Sequence, residues 1–83
     1  MNDKLEGYKG KTRKILTENN IEIWDIILVK TKRTELEGIL LPRNEYASPD
    51  YIEIKLENNY NLGINISEIQ SITKKGKREA RYK

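Results

Sequence analysis

The chain contains no cysteine and no histidine. The first absence excludes disulfides, thiolate metal sites and thiol nucleophiles. The second removes the commonest general base and the commonest metal ligand. Phenylalanine is missing too, and a single Trp accompanies five Tyr. No apolar run approaches the roughly 20 residues of a membrane-spanning helix. The opening Met1-Asn2-Asp3-Lys4 has no apolar stretch behind it, so no secretory signal is read there. So small a domain without disulfides fits a reducing compartment, and a cytoplasmic location is the expectation.

What remains is an 83-residue chain, 36% hydrophobic and 35% charged, with apolar residues that are mostly Ile and Leu. This length makes one domain with a small core. Isoleucine and tyrosine favour pleated, half-buried strands. Charge is unevenly placed. The first 73 residues carry ten Lys/Arg against twelve Asp/Glu, and the last ten carry six against one. We therefore expect a domain over 1–73 and a basic tail or linker over 74–83, mobile from Lys74. A basic tail on a near-neutral body says less about nucleic acid than a basic domain face would.

The pattern predicts a short helix over Lys11–Asn20, with Tyr8, Ile15 and Leu16 on one face and Asn19 or Asn20 as a left-handed cap. Ile26–Val29 is an apolar run, read as a strand buried on both sides and continuing to Arg33. Arg33-Thr34-Glu35 reads as a turn. Leu36–Leu41 is a second strand, in which Gly38 marks a bend, a bulge or a close backbone approach. Pro42–Asp50 is a loop. Tyr51–Leu56 alternates, with Ile52, Ile54 and Leu56 inward. Glu57-Asn58-Asn59 is a tight hairpin, and Tyr60–Asn65 places Tyr60, Leu62 and Ile64 on one face. Ile66–Ile69 is one helical turn, and Gln70–Thr73 is a short fifth strand. The fold predicted is mostly β: a small five-stranded SH3-like or Sm-like barrel with an N-terminal helix and a helical turn before the last strand. An OB-type barrel needs a helix where the two-Asn hairpin stands.

Candidate chemistry is sparse. Glu35 and Glu37 point one way from a strand, but beside Lys32 and Arg33 they read as surface charges. Ser48, Ser67 and Ser71 have no visible base, and Ser67 with Glu68 reads as a cap of the helical turn. Gly7-Tyr8-Lys9-Gly10 lacks the strand and the Gly-Lys-Ser/Thr end of a phosphate loop. No catalytic residue, cofactor site or metal site is expected. The residues that can meet RNA phosphates are Lys9, Lys11, Arg13 and Lys14 near a helix start, and Lys74, Lys75, Lys77 and Arg78 in the tail. Tyr46, Tyr51 and Tyr60 are candidates for base stacking, although Tyr51 and Tyr60 flank one hairpin and suit a cross-strand pair. Trp24 reads as a core anchor.

Four stretches carry a resemblance: Gly7-Tyr8-Lys9-Gly10-Lys11, Asp25–Thr31, Glu37-Gly38-Ile39-Leu40-Leu41-Pro42-Arg43 and Ile54–Ile64. Over about residues 5–73 they resemble the N-terminal domain of the D-type subunit (GatD) of archaeal glutamyl-tRNA(Gln) amidotransferase. The resemblance implies a small β-barrel that precedes an asparaginase-like domain, which hydrolyses glutamine and releases ammonia. It implies a partner, the E-type subunit of the amidotransferase, which binds the misacylated tRNA, activates the glutamyl group with ATP and receives the ammonia. The Gly-Gly-Thr-Ile nucleophile motif of the asparaginase-like part is not in this sequence, so no family catalytic residue falls on any position here. The expectation is a non-catalytic accessory domain of that ligase complex, serving assembly or orientation in protein biosynthesis. The alternative is a stand-alone small barrel that binds RNA or the ribosome. No membrane partner is expected.

Overall fold

The structure, a computed structural model, describes residues 4–44 and 46–77. A nine-residue helix α1 (Gly10–Glu18) precedes strands β1 (Asp25–Thr31), β2 (Glu35–Leu40), β3 (Tyr51–Leu56) and β4 (Asn61–Asn65). A single 3-10 turn, Ile66–Glu68, then leads into β5 (Ile69–Lys77). All pairings are antiparallel, in the order β4-β3-β2-β1-β5. Strand number, pairing and the turn before the last strand agree with the fold expected. Among the described residues the sheet is not closed, so "barrel" holds only loosely: no ladder joins β4 to β5 there. No helix among the described residues is long and apolar enough to cross a membrane.

Local chemistry explains most boundaries. The helix ends with Asn20 at φ 59, in the left-handed region that asparagine tolerates. The Ile21 N–H donates to Leu16 O and the Asn20 N–H to Thr17 O, and Ile21 is buried. That is a complete Schellman cap. The β1–β2 turn falls one residue earlier than expected. Thr31 holds it, accepting from the amides of Arg33 and Thr34 on its hydroxyl. The β3–β4 turn has Asn59 at φ 70, as a three-residue loop with a left-handed last residue requires. Asn65, not Ser67, caps the 3-10 turn: its side chain accepts the Ser67 N–H.

One face of the sheet is dry. Ile27, Val29, Leu40, Ile52, Ile54, Ile64 and Ile72 are buried there, and Leu5, Tyr8, Leu16 and Ile21 pack over them. Tyr8, Thr12 and Leu16, spaced by four, form the buried stripe of the N-terminal segment. The Thr12 hydroxyl donates to Pro49 O, tying α1 to the β2–β3 loop. Burial of β1 alternates, so the expectation of a strand covered on both sides is corrected: Ile26 and Leu28 stay half-exposed on the outer face.

Tyr8 does more than fill space. Leu41 N–H donates to Glu53 O at 2.8 Å, continuing the β2–β3 register. The reciprocal bond is replaced by the Tyr8 hydroxyl. It donates to Leu41 O at 2.6 Å and accepts from the Glu53 N–H at 3.1 Å. The ladder is thus opened at its end and bridged by a side chain from the N-terminal segment. Two glycines serve close approaches. A Cβ on Gly38 would meet Lys55 O at 2.7 Å, the third of the roles expected for it. Gly7, at φ +89, has the Arg43 carbonyl where a Cβ would stand.

Two further expectations are corrected. Trp24 is 48% exposed and sits at φ 77, a backbone region costly for a bulky residue. The turn that brings the Asp25 N–H to Glu22 O turns Asp25 inward and the indole outward. The fifth strand does not stop at Thr73. Lys74 pairs with Ile27, Gly76 with Ile26 and Lys77 with Asp25, across a bulge that leaves Lys75 unpaired in the ladder. A ladder needs only backbone groups, so an apolar pattern does not mark this extension. Arg78 and the rest of the expected tail lie outside the described residues.

Burial pushes the Tyr8 phenol up to about 12, against smaller opposing contributions from the Glu53 N–H bond and the Arg43 charge and a small reinforcing one from the Glu53 charge. A raised phenol stabilises the fold fully below its ordinary value of 10.0, and that stability is lost as pH rises through about 12. Tyr8→Phe strands the Leu41 carbonyl and the Glu53 amide, so it should cost about 1–3 kcal/mol in urea unfolding at neutral pH. The variant should also show a shallower alkaline loss of stability than the parent. Equal stabilities at both pH values would refute the bridge.

Candidate functional site

The candidate RNA contacts do not form one surface. Lys9, at the N-cap of α1, is exposed, and so are Lys11 and Lys14. Arg13 turns back on its own chain: its guanidinium donates to Leu5 O and Tyr8 O, both at 3.2 Å. It holds the turn that delivers Tyr8.

The strand β5 divides its lysines in the same way. Lys74 lies on the inner side, with its Nζ 3.3 Å from Asp25 Oδ2. That carboxylate is nearly sealed, with its residue 2% exposed, and also accepts the Glu22 N–H at 2.8 Å. Lys77 approaches Glu22 at 3.7 Å, and Lys4 reaches the same carboxylate at 3.3 Å. The hydrogen bond from Lys4, with the charges of Lys4, Lys77 and Lys74, holds the Glu22 carboxyl below its ordinary value despite an opposing desolvation. Lys75 is exposed, and Arg78 is outside the described residues.

The aromatic candidates are scattered. Tyr46, 89% exposed, sits in the β2–β3 loop. Tyr51 opens β3 opposite Asn65, whereas Tyr60 precedes β4 next to the hairpin turn. They stand at opposite ends of the β3–β4 pair, which corrects the cross-strand expectation. Glu35 and Glu37 are exposed on β2, with Glu35 opposite Lys30. Among the described residues no cluster of three or more Asp and Glu is placed to hold a metal ion. Arg43 is internally engaged, donating to Ser48 O at 2.8 Å and lying 3.5 Å from Glu53.

One concavity escaped the sequence. The β1–β2 turn, β4 and the 3-10 turn frame a groove of about 520 Å³. Its parts lie some thirty residues apart in the chain, and no single-segment pattern joins them. The Asp25–Lys74 pair escaped for the same reason.

The two classes of lysine should separate in denaturation. Lys74→Ala leaves a buried carboxylate without its cation and should cost about 1–3 kcal/mol. Lys75→Ala should stay within about 0.5 kcal/mol of the parent. Equal losses in urea melts would contradict the assignment of Lys74 to the fold.

Comparison with known proteins adds an independent line. The family model described as the GatD N-terminal domain matches residues 21–74. The D subunit of glutamyl-tRNA(Gln) amidotransferase from Saccharolobus solfataricus is 46% identical over 78 residues, covering 89% of this chain and 17% of the relative. The protein of the same name from Saccharolobus islandicus is 48% identical over 73 residues, 83% of this chain and 16% of that protein. That of Methanopyrus kandleri is 32% identical over 73 residues, 87% of this chain and 16% of the relative. The chain therefore spans about a sixth of the length of these relatives.

Proposed function

The chain belongs to the GatD N-terminal domain family, and from that membership we propose that it is a non-catalytic accessory domain of a tRNA-dependent amidotransferase. In this reading it orients or assembles the machinery that converts glutamyl-tRNA(Gln) to glutaminyl-tRNA(Gln). Glutamine hydrolysis belongs to an asparaginase-like part of the D-type subunit, and ATP-dependent activation belongs to a partner that holds the tRNA. The observation that carries the reading is the match itself: similarity runs through most of this chain and a sixth of each relative.

The placement of side chains supports a binding role over a chemical one. The most strongly shifted group described, the Tyr8 phenol, is consumed by the β2–β3 bridge. The buried carboxylate of Asp25 is consumed by Lys74 and the Glu22 amide. Neither is presented to a substrate.

RNA contact is a secondary part of the proposal, carried by the exposed Lys9 at the N-cap of α1, Lys11 and Lys14 on that helix, and Lys75 on β5. A direct RNA contact through α1 predicts that tRNA binding weakens with salt, and that the log–log slope falls by roughly 0.7–0.9 for each of these lysines changed to Ala. An unchanged slope removes RNA contact from the proposal.

The accessory role is tested by exchange. This chain, grafted in place of the aligned N-terminal segment of the S. solfataricus relative, should retain most glutamine-dependent amidation of glutamyl-tRNA(Gln). Deleting the segment should lower amidation while sparing glutamine hydrolysis. Full amidation after deletion would overturn the role.

A further inference from the structure

The groove between the β1–β2 turn and β4 is flanked by an edge strand with unused backbone groups. Among the described residues strand β4 ends the sheet, with β3 as its one paired neighbour. Which of its residues face outward follows from the pairing. The Leu56 N–H donates to Tyr60 O, and the Ile66 N–H to Asp50 O. In the same register Ile54 faces Leu62 and Ile52 faces Ile64. Antiparallel pairs alternate, so Leu62 and Ile64 spend their amides and carbonyls on β3. Asn61 and Gly63 aim both of theirs away from the sheet, and Asn65 its amide, while the Asn65 carbonyl serves the 3-10 turn that it caps.

Four other properties select the occupant. Leu36, Leu62 and Ile64 give the groove an apolar floor. Lys32 and Arg33, both exposed, form the wall on the β1–β2 turn, and Glu68 stands on the 3-10 turn. None of Tyr46, Tyr51 or Tyr60 lines it, so it offers no platform for stacked bases. The volume of about 520 Å³ leaves room for a short segment.

We propose that this groove binds an extended peptide of a partner protein, which adds as a strand along Asn61–Asn65, lays apolar side chains on Leu36, Leu62 and Ile64, and presents a carboxylate to Lys32 and Arg33. Backbone bonding gives affinity and the alternate side chains give selectivity, as in other strand additions. Gly63 sits at the middle of the edge. Its lack of a side chain leaves its N–H and C=O open to an incoming chain. An exposed edge is otherwise a liability for aggregation, which a bound strand would cover. The inference stands on the geometry of this domain, whichever assembly carries it.

The test uses the 83-residue chain, isotopically labelled, titrated with a capped pentapeptide that alternates valine and glutamate. Amide resonances of Asn61, Gly63, Asn65 and Thr31–Thr34 should shift together at millimolar peptide or below. The same peptide with alternate backbone N-methyl groups, which cannot add as a strand, should shift none of them. A valine–lysine pentapeptide should bind about tenfold more weakly, and so should the valine–glutamate peptide to a Lys32→Glu, Arg33→Glu variant. Gly63→Pro removes the central edge donor without touching the bonds to β3, and should abolish binding. Should that variant fail to fold, the N-methylated peptide and the charge-reversed variant decide the matter. Binding of the N-methylated peptide, no shifts at millimolar peptide, or a hexauridine oligonucleotide shifting this same set of amides would overturn the proposal.

Discussion

The Tyr8 phenol sits between Leu41 O and the Glu53 N–H, at the point where the β2–β3 ladder loses its second direct bond. Two strands and the N-terminal segment meet at that one hydroxyl, and the rest of the fold hangs on it. In a chain of 83 residues the core cannot supply much surplus stability. A buried polar bridge that left either partner unpaired would consume a large part of it. The neighbouring features serve the same junction. Arg13 fixes the turn that carries Tyr8, Gly7 lets the Arg43 backbone come close, and Thr12 ties the helix to Pro49.

This junction explains why a nine-residue helix persists. Such a helix is marginal in water and gains its stability from packing. Leu16 and Ile21 bury themselves on the sheet, and the Schellman cap at Asn20 sets the path back toward β1. Two strands further across, at the same end of β2, the Asp25–Lys74 pair anchors β1 to β5 beside the bulge. The sheet is thereby clamped at two corners, while β4 is left as an open edge. An open edge on a clamped sheet is a surface suited to a partner, in keeping with the accessory role proposed above.

Much of the architecture was legible in residue order. Ile52, Ile54, Leu62 and Ile64 alternate, and they are the core side of β3 and β4. Asn19-Asn20 and Asn58-Asn59 each offered a left-handed residue, taken by Asn20 and Asn59, and of the three roles open to Gly38 it takes the close approach. Three things were not legible. Trp24 looked like core because it is large, but a turn at Asp25 reverses the inward side. The extension of β5 through Lys74–Lys77 rests on backbone pairing under charged side chains. The cations singled out for RNA include Arg13 and Lys74, whose partners are carbonyls of Leu5 and Tyr8 and a carboxylate 49 positions away in sequence. A charge run shows where cations are, not which are already spent.

Amide hydrogen exchange on the intact chain tests the lock at Tyr8 and the open edge together, because each sits on one identifiable amide. The Glu53 amide, bonded to the Tyr8 hydroxyl inside the junction, should exchange only by global unfolding, at the pace of the slowest core amides. The Gly63 amide, aimed off the edge of β4, should exchange quickly from the native state. Fast exchange at Glu53, or protection of Gly63 equal to that of Ile54, would contradict a fold locked at Tyr8 with β4 as its open edge.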